Sequence, residues 1–236
     1  RWSVTLGDKA NGNSQYGVTI GDRASTGKGG NAIAIGLMAK TSNEKVGGNS
    51  QTAVGAASYA DGEAASAFGA NANATGSTAT AIGRATAVGR NSKALALSAS
   101  AFGDSASASA WGATALGRGA SARADNSIAV GSEAVTEGRE STALGRRSYA
   151  GAQSAAALGT GANASGVVST AVGNGAKASA LGASALGNTA DASGRGSMAF
   201  GYASKASGVD ALASGSNANA SSMNAVAVGK DSNSSA

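Results

Sequence analysis

One element recurs along this chain and limits what it can fold into: alanine, a large apolar residue, glycine. With φ for the large residue, the copies place φ at Leu6, Ile20, Ile35, Val54, Phe68, Ile82, Phe102, Leu116, Val130, Leu144, Leu158, Val172, Leu186, Phe200, Ser214 and Val228. From Phe102 to Val228 every interval is 14 residues. Gly follows φ in every copy, and the residue before it is Ala except at Thr5 and Thr19. The fourth residue after φ is always Ala, Ser or Thr. A fixed period of this kind signals stacked repeats, each unable to bury its own faces.

Helix is a poor fit, because glycines recur along the repeats and no i, i+3, i+4 stripe of large residues survives them. Disorder is a poor fit too, since low-complexity tracts drift in register and this one holds φ-Gly in phase. Strand fits. Around φ the chain alternates, as in Ile128-Ala129-Val130 and Met198-Ala199-Phe200. Period two puts φ and the residue two before it on one face and the intervening Ala on the other. A second short segment reads A-x-A, as in Ala120-Ser121-Ala122. Two strands and two corners make one flattened coil, with corners at Gly117, Gly131, Gly145, Gly159, Gly173 and Gly187, where positive φ angles cost glycine nothing. The expected fold is all-β: a single-stranded parallel β-roll, or solenoid, of about 14-residue coils, spanning 1–236 as one domain. At about 4.8 Å per coil it would form a rod on the order of 75 Å long.

This reading assigns the lumen to φ. The expected core is Ile82, Phe102, Leu116, Val130, Leu144, Leu158, Val172, Leu186, Phe200 and Val228. The alanines Ala129, Ala143, Ala157, Ala171 and Ala185 would then form a flat outer wall that another chain could approach closely.

Composition removes several chemistries. There is no Cys and no His among 236 residues, so no disulfide, thiolate site, Ser-His-Asp triad or His-ligated metal is available. The 13 Asp and Glu are scattered, and no paired-carboxylate site stands out. No catalytic residue, metal or cofactor is expected, and the chain reads as a non-enzyme. The net charge of +5 comes from sparse cations without interleaved aromatics, unlike a nucleic-acid groove. No run of 18 apolar residues suggests a membrane-spanning helix.

The segments NSIAVGSEAVTEG (126–138) and STALGRRSYAGAQS (141–154) resemble the head repeats of trimeric autotransporter adhesins, the YadA-like head family, whose repeat is close to N-S-V-A-I-G-x-x-S. The resemblance implies that the roll is left-handed and that three chains lie side by side as a homotrimer. It implies display on a bacterial outer membrane, on a coiled-coil stalk. It also implies adhesion to a host extracellular matrix protein or a cell-surface receptor, with no catalysis. No neck, heptad stalk or anchor is visible in the sequence, so the chain would be a head fragment that reaches the membrane only through those absent parts.

Irregularities mark candidate partner-binding positions. Ile35 to Val54 spans 19 residues and carries LMAKTSNEKVGGNS (37–50), with Lys40, Asn43, Glu44 and Lys45. Ile82 to Phe102 spans 20, an irregular coil with a second A-φ-G at Val88. Projecting loops on rigid scaffolds commonly carry binding, although a tolerated insertion at a corner is the simpler reading. Arg84, Arg90, Arg118 and Arg146 lie two after φ, with Arg147 and Arg23 one further, so Arg118, Arg146 and Arg147 are candidates for an acidic partner. Solvated corners that keep the rod soluble are the simpler reading, since neighbouring copies carry Asp104, Ser132, Thr160 and Asn174 there. Trp111 is expected to pack at the second corner. N-x-S/T triplets at Asn73, Asn163, Asn219 and Asn233 all fall five after φ, a solvent-facing slot that the repeat register itself creates. A spacer rod and an ice-binding solenoid are the rival functions. The second is disfavoured because Thr52, Thr80, Thr114, Thr142 and Thr170 share the face of φ and would point inward.

Overall fold

The computed structural model describes residues 2–28, 30–42, 50–62, 64–75 and 85–235. Asn43, Glu44, Lys45, Thr80, Ile82 and Arg84 lie outside them. The chain divides into two units, Arg1–Ala122 and Arg123–Ala236. Each is a parallel β-solenoid, and the described residues contain strands and turns without helix. Every coil contributes a first strand ending at φ, such as Thr142–Leu144, and a shorter second strand, such as Tyr149–Ala150. In each unit the first strands pair in parallel as sheet A and the second strands as sheet B.

The register is set by the period. Thr142, Ala143 and Leu144 pair with Ala156, Ala157 and Leu158, which pair in turn with Thr170, Ala171 and Val172. Like stacks on like. In the irregular coil it is Val88 that stands in the φ column, paired with Phe68 on one side and Phe102 on the other.

Two turns of the same type close each coil. After the first strand, Ala162 N donates to Gly159 O at 3.2 Å, with Gly159 at φ 129° and Gly161 at φ 65°. After the second, Ala155 N donates to Ala152 O at 3.1 Å, with Ser154 at φ 54°. Where the residue four after φ is Ser, its hydroxyl ties back to the corner glycine: Ser148 Oγ donates to Gly145 O at 2.9 Å and Ser204 Oγ to Gly201 O at 3.1 Å. The corner Gly also sits in the ladder, for Gly159 N donates to Leu144 O at 2.7 Å.

The lumen is the reverse of the sequence expectation. Four small residues per coil point inward, as in Ala183, Ala185, Ala190 and Ala192, all at 0% exposure. The next coil offers Ser197, Ala199, Ser204 and Ala206, again fully buried. The alanine before φ therefore fills the core, and φ faces out. Leu116, Leu144, Leu186 and Val228 are 47%, 46%, 41% and 66% exposed. Phe102 is also exposed, and Val130, Leu158, Val172 and Phe200 are half-exposed. The reason is width. Two strands joined by turns this tight leave a slot that methyl groups fill and a leucine does not. Alanine ladders suit so narrow a slot, where interiors tolerate little change in side-chain volume. Some hydroxyls that enter it pair with one another, as in Thr136 to Ser127 at 2.9 Å and Thr19 with Thr26 at 3.0 Å, whereas Ser169 and Ser197 Oγ are buried without a partner.

The same reversal moves the threonines. Thr52, Thr114, Thr142 and Thr170 lie beside φ on the outer face of sheet A, not in the lumen. In the second unit their column reads Ile128, Thr142, Ala156, Thr170, Ser184, Met198, Leu212, Val226, so aliphatics break any regular hydroxyl array. The lumen makes a direct prediction. Ala185→Leu should cost about 1–3 kcal/mol by overpacking, read as a lowered denaturant midpoint. An unchanged midpoint would mean the slot is wider than described.

Candidate interaction surfaces

Three surfaces follow from this fold. The first is the outer face of sheet A. In each unit it carries two parallel columns, a φ column that is large and apolar in nearly every coil and the residue two before it, which mixes aliphatics with Thr and Ser. In the second unit Ile128, Leu144, Leu186, Met198, Val226 and Val228 are all exposed. Monomeric proteins rarely leave contiguous apolar patches of this kind, so this ladder is the first candidate interface. At the N-terminal end of the first unit the face deepens into an open groove of about 650 Å³. Trp2, Val4, Tyr16, Val18 and Ile33 line it, and Trp2 is 83% exposed.

The second surface is the corner after φ, where the candidate arginines sit. Coil spacing brings charges together there. Arg90 Nη2 lies 2.6 Å from Asp104 Oδ2, and Arg147 Nε lies 2.7 Å from Glu133 Oε2. The hydrogen bond from Arg90 holds the Asp104 carboxyl below its ordinary range, helped by Ser105 and by the Arg118 charge. A depressed carboxylate lends stability above its unfolded value and loses it as pH falls through its folded value. Here the contribution is small, because the pair is open to solvent and screened. Among the arginines named from sequence, Arg90 and Arg147 are thus engaged with acids, and Arg118 lies near Asp104. Arg146 is exposed.

The third surface is the outer face of sheet B, built from the residue five after φ and the one two later. Lys40 is here rather than at the corner after φ, with its Nζ 5.7 Å from the Tyr59 ring centroid. Within the first unit, then, the two described candidates Lys40 and Arg118 stand on different surfaces of the coil, and Asn43, Glu44 and Lys45 lie outside the described residues. Tyr59 Oη donates to Asp61 Oδ2 at 3.1 Å. In the second unit Tyr149 Oη donates to Glu137 Oε2 at 2.8 Å, and Arg123 Nη1 donates to Glu137 Oε1 at 2.7 Å. Hydrogen bonding to Glu137, then burial, raises the Tyr149 phenol above its ordinary value, so it stays protonated as a donor. Asn73, Asn163 and Asn219 occupy the same column, half-exposed, each with a buried Oδ1 that has no hydrogen-bond partner. Sequence reasoning noticed these asparagines only as N-x-S/T triplets. The tyrosines and lysines beside them were legible as the residue five after φ, had that column been read for chemistry.

Elsewhere, Trp111 is 50% exposed at the second corner. Among the described residues no group of three or more His, Cys, Asp or Glu side chains is placed to hold a metal ion.

The YadA head domain repeat matches the chain in overlapping copies from 52 to 190 and again from 192 to 232. The chain belongs to the YadA head family. No curated protein matches it at a significant level. The YadA head matches follow the coils: 137–162 and 150–176, for example, each span nearly two periods, with φ at Leu144, Leu158 and Val172. They begin where the first unit becomes regular and include the irregular coil, which 60–84 and 83–106 cover between them.

Proposed function

We propose that this YadA head is the adhesive tip of a bacterial trimeric autotransporter, displayed from the outer membrane on a stalk and anchor. In this reading three copies lie side by side as left-handed rolls, with the outer faces of sheet A turned toward one another. It binds a host extracellular matrix protein or a cell-surface receptor and catalyses nothing. The observation that carries this is the φ column. In each unit a large aliphatic or aromatic residue stands exposed or half-exposed on the same face of nearly every coil, and a narrow lumen leaves burial between chains as its only shelter. Sheets B, polar and outward, then remain for partners.

The test has two readings. Light scattering of the purified chain should give three times the mass of one chain. Binding to a panel of immobilised matrix proteins should exceed that of a scaffold control. A stable monomer would overturn the assembly. Trimers that bind nothing on the panel or on host cells would leave a spacer rod.

A further inference from the structure

The outer face of sheet B carries one side-chain constellation twice. In the first unit Tyr59, Asn73 and Lys93 stand on three consecutive coils in strict register. In the second unit Tyr149, Asn163 and Lys177 do the same. In both, the phenol is held by a carboxylate on the same face, Asp61 or Glu137. In both, the asparagine Oδ1 is buried and lacks a hydrogen-bond partner. In both, the lysine is exposed. We infer that these are two copies of a saccharide-binding site, and that the ligand is an acidic, N-acetylated glycan running along the coil stack.

Each part of the ligand follows from a part of the site. The Tyr149 ring rests on Gly151, where a Cβ would come within 2.5 Å of Cε1 and 2.6 Å of Oη. A ring laid on backbone and pinned at its hydroxyl presents its other face as a platform, and such a flat apolar plane suits the C–H face of a sugar. Asn163 is half-exposed but turns its Oδ1 inward, beyond a ligand's reach, so its amide Nδ2 is the group left to face the ligand. An acetamido carbonyl or a hydroxyl oxygen on the ligand accepts from it. One rung on, Lys177 offers an ammonium to a carboxylate. From tyrosine to lysine is two rungs, about 10 Å, so more than one sugar unit is contacted.

Other ligand classes fit less well. A peptide adding as a strand needs an open sheet edge, and on this face the backbone groups are already committed to the ladders. A nucleic acid needs denser cations than one lysine per three coils. The second-unit copy should bind more tightly. Below Tyr149 the column holds Val135, whereas below Tyr59 it holds Lys40, which already approaches that ring. Asn219 is an internal control. It has the same unpartnered Oδ1, but its neighbours are Lys205 and Asn233, with no tyrosine.

The inference extends the adhesive reading and is separable from it. Titration calorimetry of the 236-residue chain with a hyaluronan octasaccharide, which alternates acetamido and carboxylate sugars, tests it. Binding is expected, and chitin oligosaccharide (no carboxylate) and oligogalacturonate (no acetamido) should bind at least about tenfold more weakly. Combining Y59A with Y149A should weaken hyaluronan binding about tenfold or more, while Y149F keeps the platform and keeps binding. N219S should change nothing. No binding of hyaluronan, equal binding of chitin oligosaccharide, or binding that survives loss of both rings would each overturn the proposal. Trimer mass and matrix-protein binding report on the adhesive reading independently, so either can fail alone.

Discussion

Gly159→Ala should disrupt the solenoid far more than Gly161→Ala, two residues away. Gly159 sits at φ 129°, a region that L side chains rarely enter, and an added Cβ would lie 2.5 Å from Gly173 O and 2.7 Å from Gly173 C. The obstacle is backbone of the next coil, so no side-chain rotation relieves it. Backbone strain of about 1–3 kcal/mol adds to a steric shift that breaks ladder bonds on both sides. We expect a loss of about 3 kcal/mol or more. Gly161 has φ 65° and nothing within 4 Å of its missing Cβ. Non-glycine residues hold the equivalent place in other coils, Arg147 at φ 57° and Thr189 at φ 55° among them. Alanine there should cost about 1 kcal/mol, since part of the left-handed penalty is offset by a less flexible unfolded chain. Denaturant midpoints of the two variants check this. Equal destabilisation would mean that the close inter-coil approach at Gly159 is not as described.

Leu144→Glu should abolish assembly and leave the coil folded. Leu144 is 46% exposed in the single chain, so a carboxylate there remains solvated and the lumen is untouched. In a side-by-side trimer, three glutamates would be brought together in an apolar seam, at several kcal/mol per uncompensated ion. Light scattering should show the mass falling about threefold, while the far-ultraviolet β signal is retained. Had φ filled the lumen, the same substitution would unfold the coil instead. Loss of the β signal would therefore restore the original assignment, and an intact trimer would move the interface off sheet A.

These two experiments probe the two things that differed in legibility. The corner at Gly159 was readable: a glycine every 14 residues, following an alternating segment, has few other uses. The strands, their pairing partners and the second A-x-A strand followed from the same period. Leu144 was readable as sharing a face with Thr142, but the choice of face was not. Alternation says which residues go together and is silent on which set goes in. Leucine has much the larger apolar area, so hydrophobicity alone favours burying it, and that preference misleads here. The irregular coil went the same way: Val88, read as a secondary copy, occupies the φ column between Phe68 and Phe102.

The binding candidates were least legible. Arg147 was named for its charge and Lys40 for its place in the insertion, yet Arg147 is paired with Glu133 and Lys40 stands in a regular second strand beside Tyr59. Side chains 14 or more residues apart in the chain become neighbours only through stacking, and a column must be read down the coils to be seen at all.

The period, the strand and turn positions, the absence of thiol and imidazole chemistry, and membership of a repeat family were all contained in the sequence. Tertiary structure decided which wall is inside. It did so through the width of the slot that two short strands and two tight turns enclose, a length that no single repeat encodes and that only methyl-sized side chains satisfy.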